Sequence, residues 1–377
     1  MRIAVIDADL IGRKRHRFPN LACMKISGFH KSAGDEVELK LDYENLNMFD
    51  KVYISKIFSN TLVPDEVMTL ENVSYGGTGF FYDKAPALPK EIEHHMPDYH
   101  LYESWVNERI ACGDKRSEYK AYLDYSIGFL TRGCFRQCEF CVNQNYKSVS
   151  VHSPLDEFYD PGRKKICLLD DNFFGCPSWR ELLKTLKETG KPFQFKQGLD
   201  ERLLTDEKCI ELFSSKYDGD YTFAFDNVLD ATLIESKIRL ARKYTSAVLK
   251  FYCFTGFDRE GKWDNEFWKS DIFDLFTRIE ILMRNKCIPY VMRFNRYEES
   301  PYRGMYITIA RWCNQPSFIK KKSLREFGKM NGEGSACYRY LSDFERKFPK
   351  VAYFYDLEYE GESDYGKNNK QDENDKH

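Results

Sequence analysis

Apolar and polar positions change rhythm about a third of the way along this chain. RIAVIDA (2–8) is a strand-like run, and a helix-compatible stretch (21–32) follows it until Gly34 and Asp35 break the pattern. EVELKL (36–41) alternates with period two, KVYISKIF (51–58) reads as another strand, and NVSYGGTGF (72–80) as one more that ends in glycines. Strand, helix, strand, strand predicts a small α/β layer domain, with its edge at the Pro- and His-containing stretch PALPKEIEHHMPDYHLY.

A second rhythm starts at YSIGFLTRG (125–133). The strand candidates KICLLDDNFFG, FQFKQGLDERL, YTFAFDN, AVLKFYCFTGFD and CIPYVMRFN are separated by segments of helical periodicity, one of them opened by Asp206. Six β-segments at βα spacing predict a parallel sheet curled into a partial (β/α) barrel, with its chemistry at the C-terminal strand ends. Beyond Pro316 two short helices and a last strand, VAYFYDLEY (351–359), are expected, and the polar tail YGKNNKQDENDKH (365–377) reads as disordered. The domains are therefore placed at 1–118, 119–315 and 316–377.

Composition narrows the classes. The sequence is 42% hydrophobic and 16% aromatic over 377 residues, enough for two packed domains. A formal net charge of -2 offers no general attraction to nucleic acid or an anionic membrane. No secretory leader or membrane span is expected, so the chain reads as cytoplasmic, where thiols stay reduced. Nine of the 12 cysteines (Cys23, Cys112, Cys167, Cys176, Cys209, Cys253, Cys287, Cys313 and Cys337) stand singly and read as ordinary buried residues.

The other three, Cys134, Cys138 and Cys141, fall on one loop at the spacing C-x3-C-x2-C. Three thiolates on one loop suit a soft metal centre. A structural zinc prefers four ligands in two paired knuckles; no second knuckle exists, and His152 lacks a pairing partner. A four-iron cluster held by three cysteines leaves one iron open to a cofactor.

This loop resembles the signature of the radical S-adenosylmethionine superfamily, including the aromatic Phe140 just before the last cysteine. The resemblance implies a 4Fe-4S cluster on Cys134, Cys138 and Cys141 that reductively cleaves S-adenosylmethionine to a 5'-deoxyadenosyl radical, with the electron supplied by a reductant protein such as a flavodoxin or ferredoxin. Asp170-Asp171-Asn172-Phe173 stands where the family receives the methionine amino group. Asp226, before Asn227, stands at a ribose contact and Gly256 at the adenine; Gln197 and Arg202 are placed to reach the cofactor carboxylate or the substrate. Each of these four strand ends has a plain alternative, since such residues commonly cap helices or make turns.

The N-terminal α/β rhythm and the Gly76-Gly77-Thr78-Gly79 turn resemble cobalamin-binding domains found in front of such barrels. The implied fold is a Rossmann-like, cobalamin-binding-like domain followed by a partial (β/α)6 TIM-like barrel. The Asp-x-His-x-x-Gly motif that would ligate cobalt is absent, and Asp7, Asp9 and His16 do not reproduce it. A cobalamin-dependent methyltransferase and a relic domain before a cobalamin-independent oxidoreductase or rearrangement enzyme both stay open. A non-catalytic iron–sulfur or zinc protein is the alternative of another class. The substrate is not legible.

Overall fold

The structure, a computed structural model, describes residues 1–13 and 16–359; the tail at 365–377 lies outside the described residues. The chain divides into two compact units, 1–197 with 215–218, and 198–214 with 219 onward. No helix among the described residues is long and apolar enough to cross a membrane.

The first unit begins with β1 (Arg2–Asp7), β2 (Glu36–Leu39), β3 (Lys51–Ser55) and β4 (Val73–Gly76), all parallel in the order β2-β1-β3-β4. Alternation along β1 sends Ile3 and Val5 to one face, where they meet Cys23, Met24 and Ile26 of the helix Leu21–Ser32 together with Tyr99, Tyr102 and Tyr122. Ala4 and Ile6 face the other way, onto Leu46, Phe49, Val52 and Ile54. Asn20 starts the helix, its side chain accepting from the Cys23 N–H at 3.2 Å. The strand expected over 72–80 stops at Gly76, because Gly77 takes φ 103° and Thr78–Phe81 coil into a helical turn.

The six strands of the second rhythm are all present. β5 (Tyr125–Gly128), β8 (Lys165–Leu168) and β9 (Phe193–Phe195) form a parallel sheet in the first unit; β10 (Tyr221–Ala224), β11 (Leu249–Thr255) and β12 (Ile288–Arg293) form another in the second. The sheet expected as one is thus laid down as two three-stranded sheets. β9 is short, and Gly198, at φ 89°, turns the chain soon after it. Helices Trp179–Glu188, Asp206–Phe213, Ala231–Arg242 and Asn265–Arg284 follow β8 to β11 in turn.

Between β5 and β8 the connection holds no α-helix. It carries a two-residue antiparallel pair unforeseen in the sequence, β6 (Thr131–Arg132) with β7 (Ser150–Val151), and the cysteine loop lies between these strands. The strand expected at 351–359 is also replaced: Pro349–Val351 is a 3-10 turn and Ala352–Tyr355 a helix. Val351 and Tyr355, four residues apart, are the buried pair, which is a helical and not an alternating pattern.

Candidate metal and cofactor site

The strand end after β8 builds the cysteine loop from below. Asp170 is buried, and its carboxylate accepts from the Leu130 N–H at 3.2 Å, the Thr131 N–H at 2.7 Å and the Thr131 hydroxyl at 2.6 Å. Burial pushes this carboxyl up to about 7, against those three donors, which favour the carboxylate. Asp171 takes the next level, accepting from the Gly133 N–H at 2.9 Å and from Asn143 Nδ2 at 2.7 Å. One acid therefore ties the start of the loop, and its neighbour ties residues on both flanks of the cysteines. Gly133 is required twice over: its φ is 97°, and a Cβ would sit on the Ser148 carbonyl oxygen.

Within the loop the Cys141 N–H donates to the Cys138 carbonyl at 2.8 Å, and Gln137 takes φ 49°. The sulfurs of Cys134 and Cys141 are acceptors: Cys134 Sγ from the Arg136 N–H and Asn172 Nδ2, and Cys141 Sγ from the Asn143 N–H, each at 3.4 Å. Among the described residues no three or more Cys, His, Asp or Glu side chains stand at metal-holding geometry. The donor set itself fits an iron–sulfur cluster, with three half-buried thiols on one loop and N–H groups aimed at two sulfurs.

The other cysteines differ. Eight are buried, and burial pushes each thiol up: Cys167, Cys253 and Cys287 to about 12, Cys209 to about 11, and Cys23, Cys176, Cys313 and Cys337 upward as well. The expectation of burial fails for Cys112, which is exposed because it caps the end of helix Glu103–Ala111. His152 Nε2 pairs with Glu93 Oε1 at 2.9 Å. Although burial pushes Glu93 up, His152 and Lys25 bring it down to about 2.

Asn172 is 2% exposed, and its Oδ1 is a buried oxygen with no hydrogen-bond partner, beside the amide nitrogen that faces Cys134. A buried amide oxygen left open is a ready acceptor for a donor group. Phe140 is half-buried in the loop, and its carbonyl accepts from the Tyr82 hydroxyl at 2.8 Å. Gln197 is exposed in the turn after β9.

In the second unit the strand-end residues are largely committed. Arg202 pairs with Asp200 at 2.7 Å and Asp230 at 3.0 Å. Asp226 Oδ1 accepts from the Phe254 N–H at 2.8 Å; burial pushes its carboxyl up, and it lines a cavity of about 550 Å³ with Phe257, Asp271 and Arg278. Gly256, at φ 83°, donates its N–H to Asp271 Oδ2 at 2.9 Å, which also accepts from Thr255 and Tyr306 at 2.7 Å each. Asp271 was not foreseen, since it lies on a helix far from the strand end it serves. Asn143, two residues past Cys141, carried a signal by position. Glu201 was missed as well: it is 1% exposed, its Oε1 has no partner, and burial pushes its carboxyl up to about 8.

In the N-terminal sheet, Gly77 and Gly79 admit the Lys56 main chain, while space beside Gly76 is open. Asp7 accepts from the Tyr102 hydroxyl at 2.9 Å, Asp9 from the Ile57 N–H at 2.7 Å, and His16 packs edge-on to Phe58.

No protein-family model matches the sequence, and no curated relative does. Two solved structures of the radical S-adenosylmethionine methyltransferase TsrM from Kitasatospora setae are similar in part. The one with cobalamin and a [4Fe-4S] cluster bound shares 11% identity over 78% of this chain and 74% of that one, at a TM-score of 0.48. The one with tryptophan and a SAM analogue bound shares 12% over 77% and 72%, at 0.47. The cobalamin-dependent S-adenosylmethionine radical enzyme OxsB, with aqua-cobalamin and S-adenosylmethionine bound, shares 10% over 92% of this chain and 55% of its own, at 0.36. Likeness at this level assigns no activity to this chain.

Proposed function

We propose that the chain is a radical S-adenosylmethionine enzyme whose loop at 133–149 holds a 4Fe-4S cluster on Cys134, Cys138 and Cys141. The observation that carries this reading is the contrast among the cysteines. Three half-buried thiols share one loop and two of their sulfurs accept N–H hydrogen bonds, whereas eight others are buried singly. A bound cluster with S-adenosylmethionine supplies one-electron cleavage of the sulfonium and a 5'-deoxyadenosyl radical able to abstract hydrogen from carbon.

The chain's own residues divide the work. Asp170 and Asp171 hold the loop, and Asn172 Oδ1 offers the acceptor for the methionine ammonium. Phe140, next to Cys141 on the same loop, is carried as a cofactor-side residue. Gln197, Arg202, Asp226 and Gly256 are carried as cofactor contacts in the same proposal. A reductant protein supplies the electron.

Cobalamin is the second part of the reading. Ile57, Phe58, Leu62, Tyr75 and Tyr82, at and beyond the C-terminal ends of β3 and β4, are exposed apolar side chains that a flat ligand could cover, and the His16 ring packs edge-on to Phe58 among them. Retention of about one corrin per chain after desalting would support methyl transfer. Its complete loss would leave a cobalamin-independent radical reaction.

The deciding test is anaerobic reconstitution. About four irons and four sulfides per chain are expected, lost in the Cys134→Ala, Cys138→Ala, Cys141→Ala triple variant, with 5'-deoxyadenosine released on reduction with S-adenosylmethionine. One zinc and no iron would replace the proposal with a structural metal site.

A further inference from the structure

Tyr82 holds a backbone conformation that its side chain disfavours. Its φ is 51° and its ψ -112°, outside the small left-handed basin that non-glycine residues tolerate. Glycine would adopt this geometry freely, and three glycines, Gly76, Gly77 and Gly79, stand among the ten residues before it, so a tyrosine at this position points to a use for the side chain. The turn that carries it is fixed from behind. Gly77 and Gly79 sit against the Lys56 main chain, Thr78 Oγ1 donates to the Ile57 carbonyl at 3.1 Å, and Tyr75 stacks on Phe81 at 5.7 Å with 4° between the planes.

From this base the Tyr82 hydroxyl donates to the Phe140 carbonyl at 2.8 Å, and the next residue's carbonyl, that of Asp83, accepts from Asn145 Nδ2 at 2.6 Å. The Phe140 carbonyl and the Cys141 N–H belong to one peptide unit. Its N–H end donates to the Cys138 carbonyl at 2.8 Å, so this unit is held at both ends. Turning it would swing Cys141 and break the closure of the C-x2-C segment.

We propose that Tyr82 is a positioning residue for the cysteine loop: through the Phe140–Cys141 peptide it sets where Cys141 presents its sulfur, and with Asp83 it forms a clamp from the end of the four-stranded sheet onto the cluster-binding loop. The inference rests on the radical-enzyme reading only for what the loop binds. The clamp itself is a property of the chain without iron.

The test uses the full chain in both states. In iron-free protein, Tyr82→Phe removes only the hydroxyl, and the amides of Cys141 and Asn143 should exchange with solvent roughly fivefold faster, the effect of one lost hydrogen bond. Tyr82→Gly relieves the backbone and removes the pin, so its loop should exchange as fast as that of Tyr82→Phe while its melting temperature does not fall. In reconstituted protein, Tyr82→Phe should take up iron but show a shifted reduction potential and an altered electron-spin resonance signal, which a purely structural contact would leave unchanged. Wild-type exchange rates in both variants, or an unmoved potential and signal in Tyr82→Phe, would overturn the proposal. Faster exchange in a chain that never takes up iron would support the clamp and retire the radical-enzyme reading.

Discussion

The strand ends after β8 and after β10 carry similar sequences, Asp170-Asp171-Asn172 and Asp226-Asn227, and fold to different ends. After β8 two acids face upward into main-chain and side-chain donors of the cysteine loop, and the third residue keeps an open oxygen next to Cys134. After β10 the acid takes the amide of Phe254 on the neighbouring strand, and Asn227 caps the following turn through the Leu229 N–H at 3.0 Å. An acid at a strand end is thus first an acceptor for nearby amides in either place. What singles out the first is the company of sulfur acceptors and an unsatisfied polar atom, neither of which is visible in spacing.

Removing the supports of the cysteine loop should have the largest effect. Gly133→Ala forces a side chain into φ 97° and against the Ser148 carbonyl, and Asp171→Ala frees Gly133 and Asn143 together. Both variants should lose most bound iron on reconstitution. Asp226→Ala in the second unit should leave iron content at the wild-type level. Equal iron in all three would erase the distinction between the two strand ends.

That contrast marks how far the sequence could be read. The six strands, their helices and the cysteine motif were legible because each is a local pattern: period-two or buried runs, helical spacing, a fixed interval between thiols. The β6–β7 pair was not, because two-residue strands have no periodicity and this one is held by Asp170, about forty positions away. The same reason hides Asp271 behind Gly256 and Tyr82 behind Phe140, whose partners are set by tertiary contact. The helix at 352–355 was misread as a strand because a run of aromatics in VAYFYDLEY imitates strand composition, while burial follows Val351 and Tyr355.

Rising pH separates the two units by an effect of intermediate size. Glu201 in the second unit has its carboxyl pushed by burial from 4.5 to about 8, and Asp7 and Asp170 in the first are pushed from 3.8 to about 7. In each case the folded chain binds the proton more tightly than the unfolded chain. The contribution is therefore full below the unfolded pKa and declines as pH rises through the folded one. At about 1.4 kcal/mol per unit, Glu201 alone amounts to a few kcal/mol between pH 5 and 9. Glu201→Gln should flatten the fall in melting temperature between about pH 5 and 8, most clearly between pH 7 and 8 where Asp7 and Asp170 no longer contribute, and leave the fall between about pH 4 and 7 that Asp7 and Asp170 share. A variant that loses stability in parallel with wild type across that range would show that Glu201 is ionised in the folded chain.

The smallest effect, and the sharpest for the site, concerns Asn172. Its Nδ2 faces Cys134 and its Oδ1 is buried and open, so in the proposed enzyme it contributes one acceptor to a cationic ammonium. A hydrogen bond to a charged group is worth roughly 1.5–3 kcal/mol, or about tenfold and upward in affinity. Asn172→Ala should therefore weaken S-adenosylmethionine binding by at least about tenfold while retaining iron, since Asp170 and Asp171 still hold the loop. Asp226→Asn keeps an oxygen for the Phe254 amide and changes only charge, so it should weaken binding less. Equilibrium binding of S-adenosylmethionine to reconstituted protein reads both. If Asn172→Ala binds as wild type does and Asp226→Asn does not, the acceptor for the cofactor lies at the second strand end, and the open oxygen of Asn172 is only an unsatisfied atom of the loop's foundation.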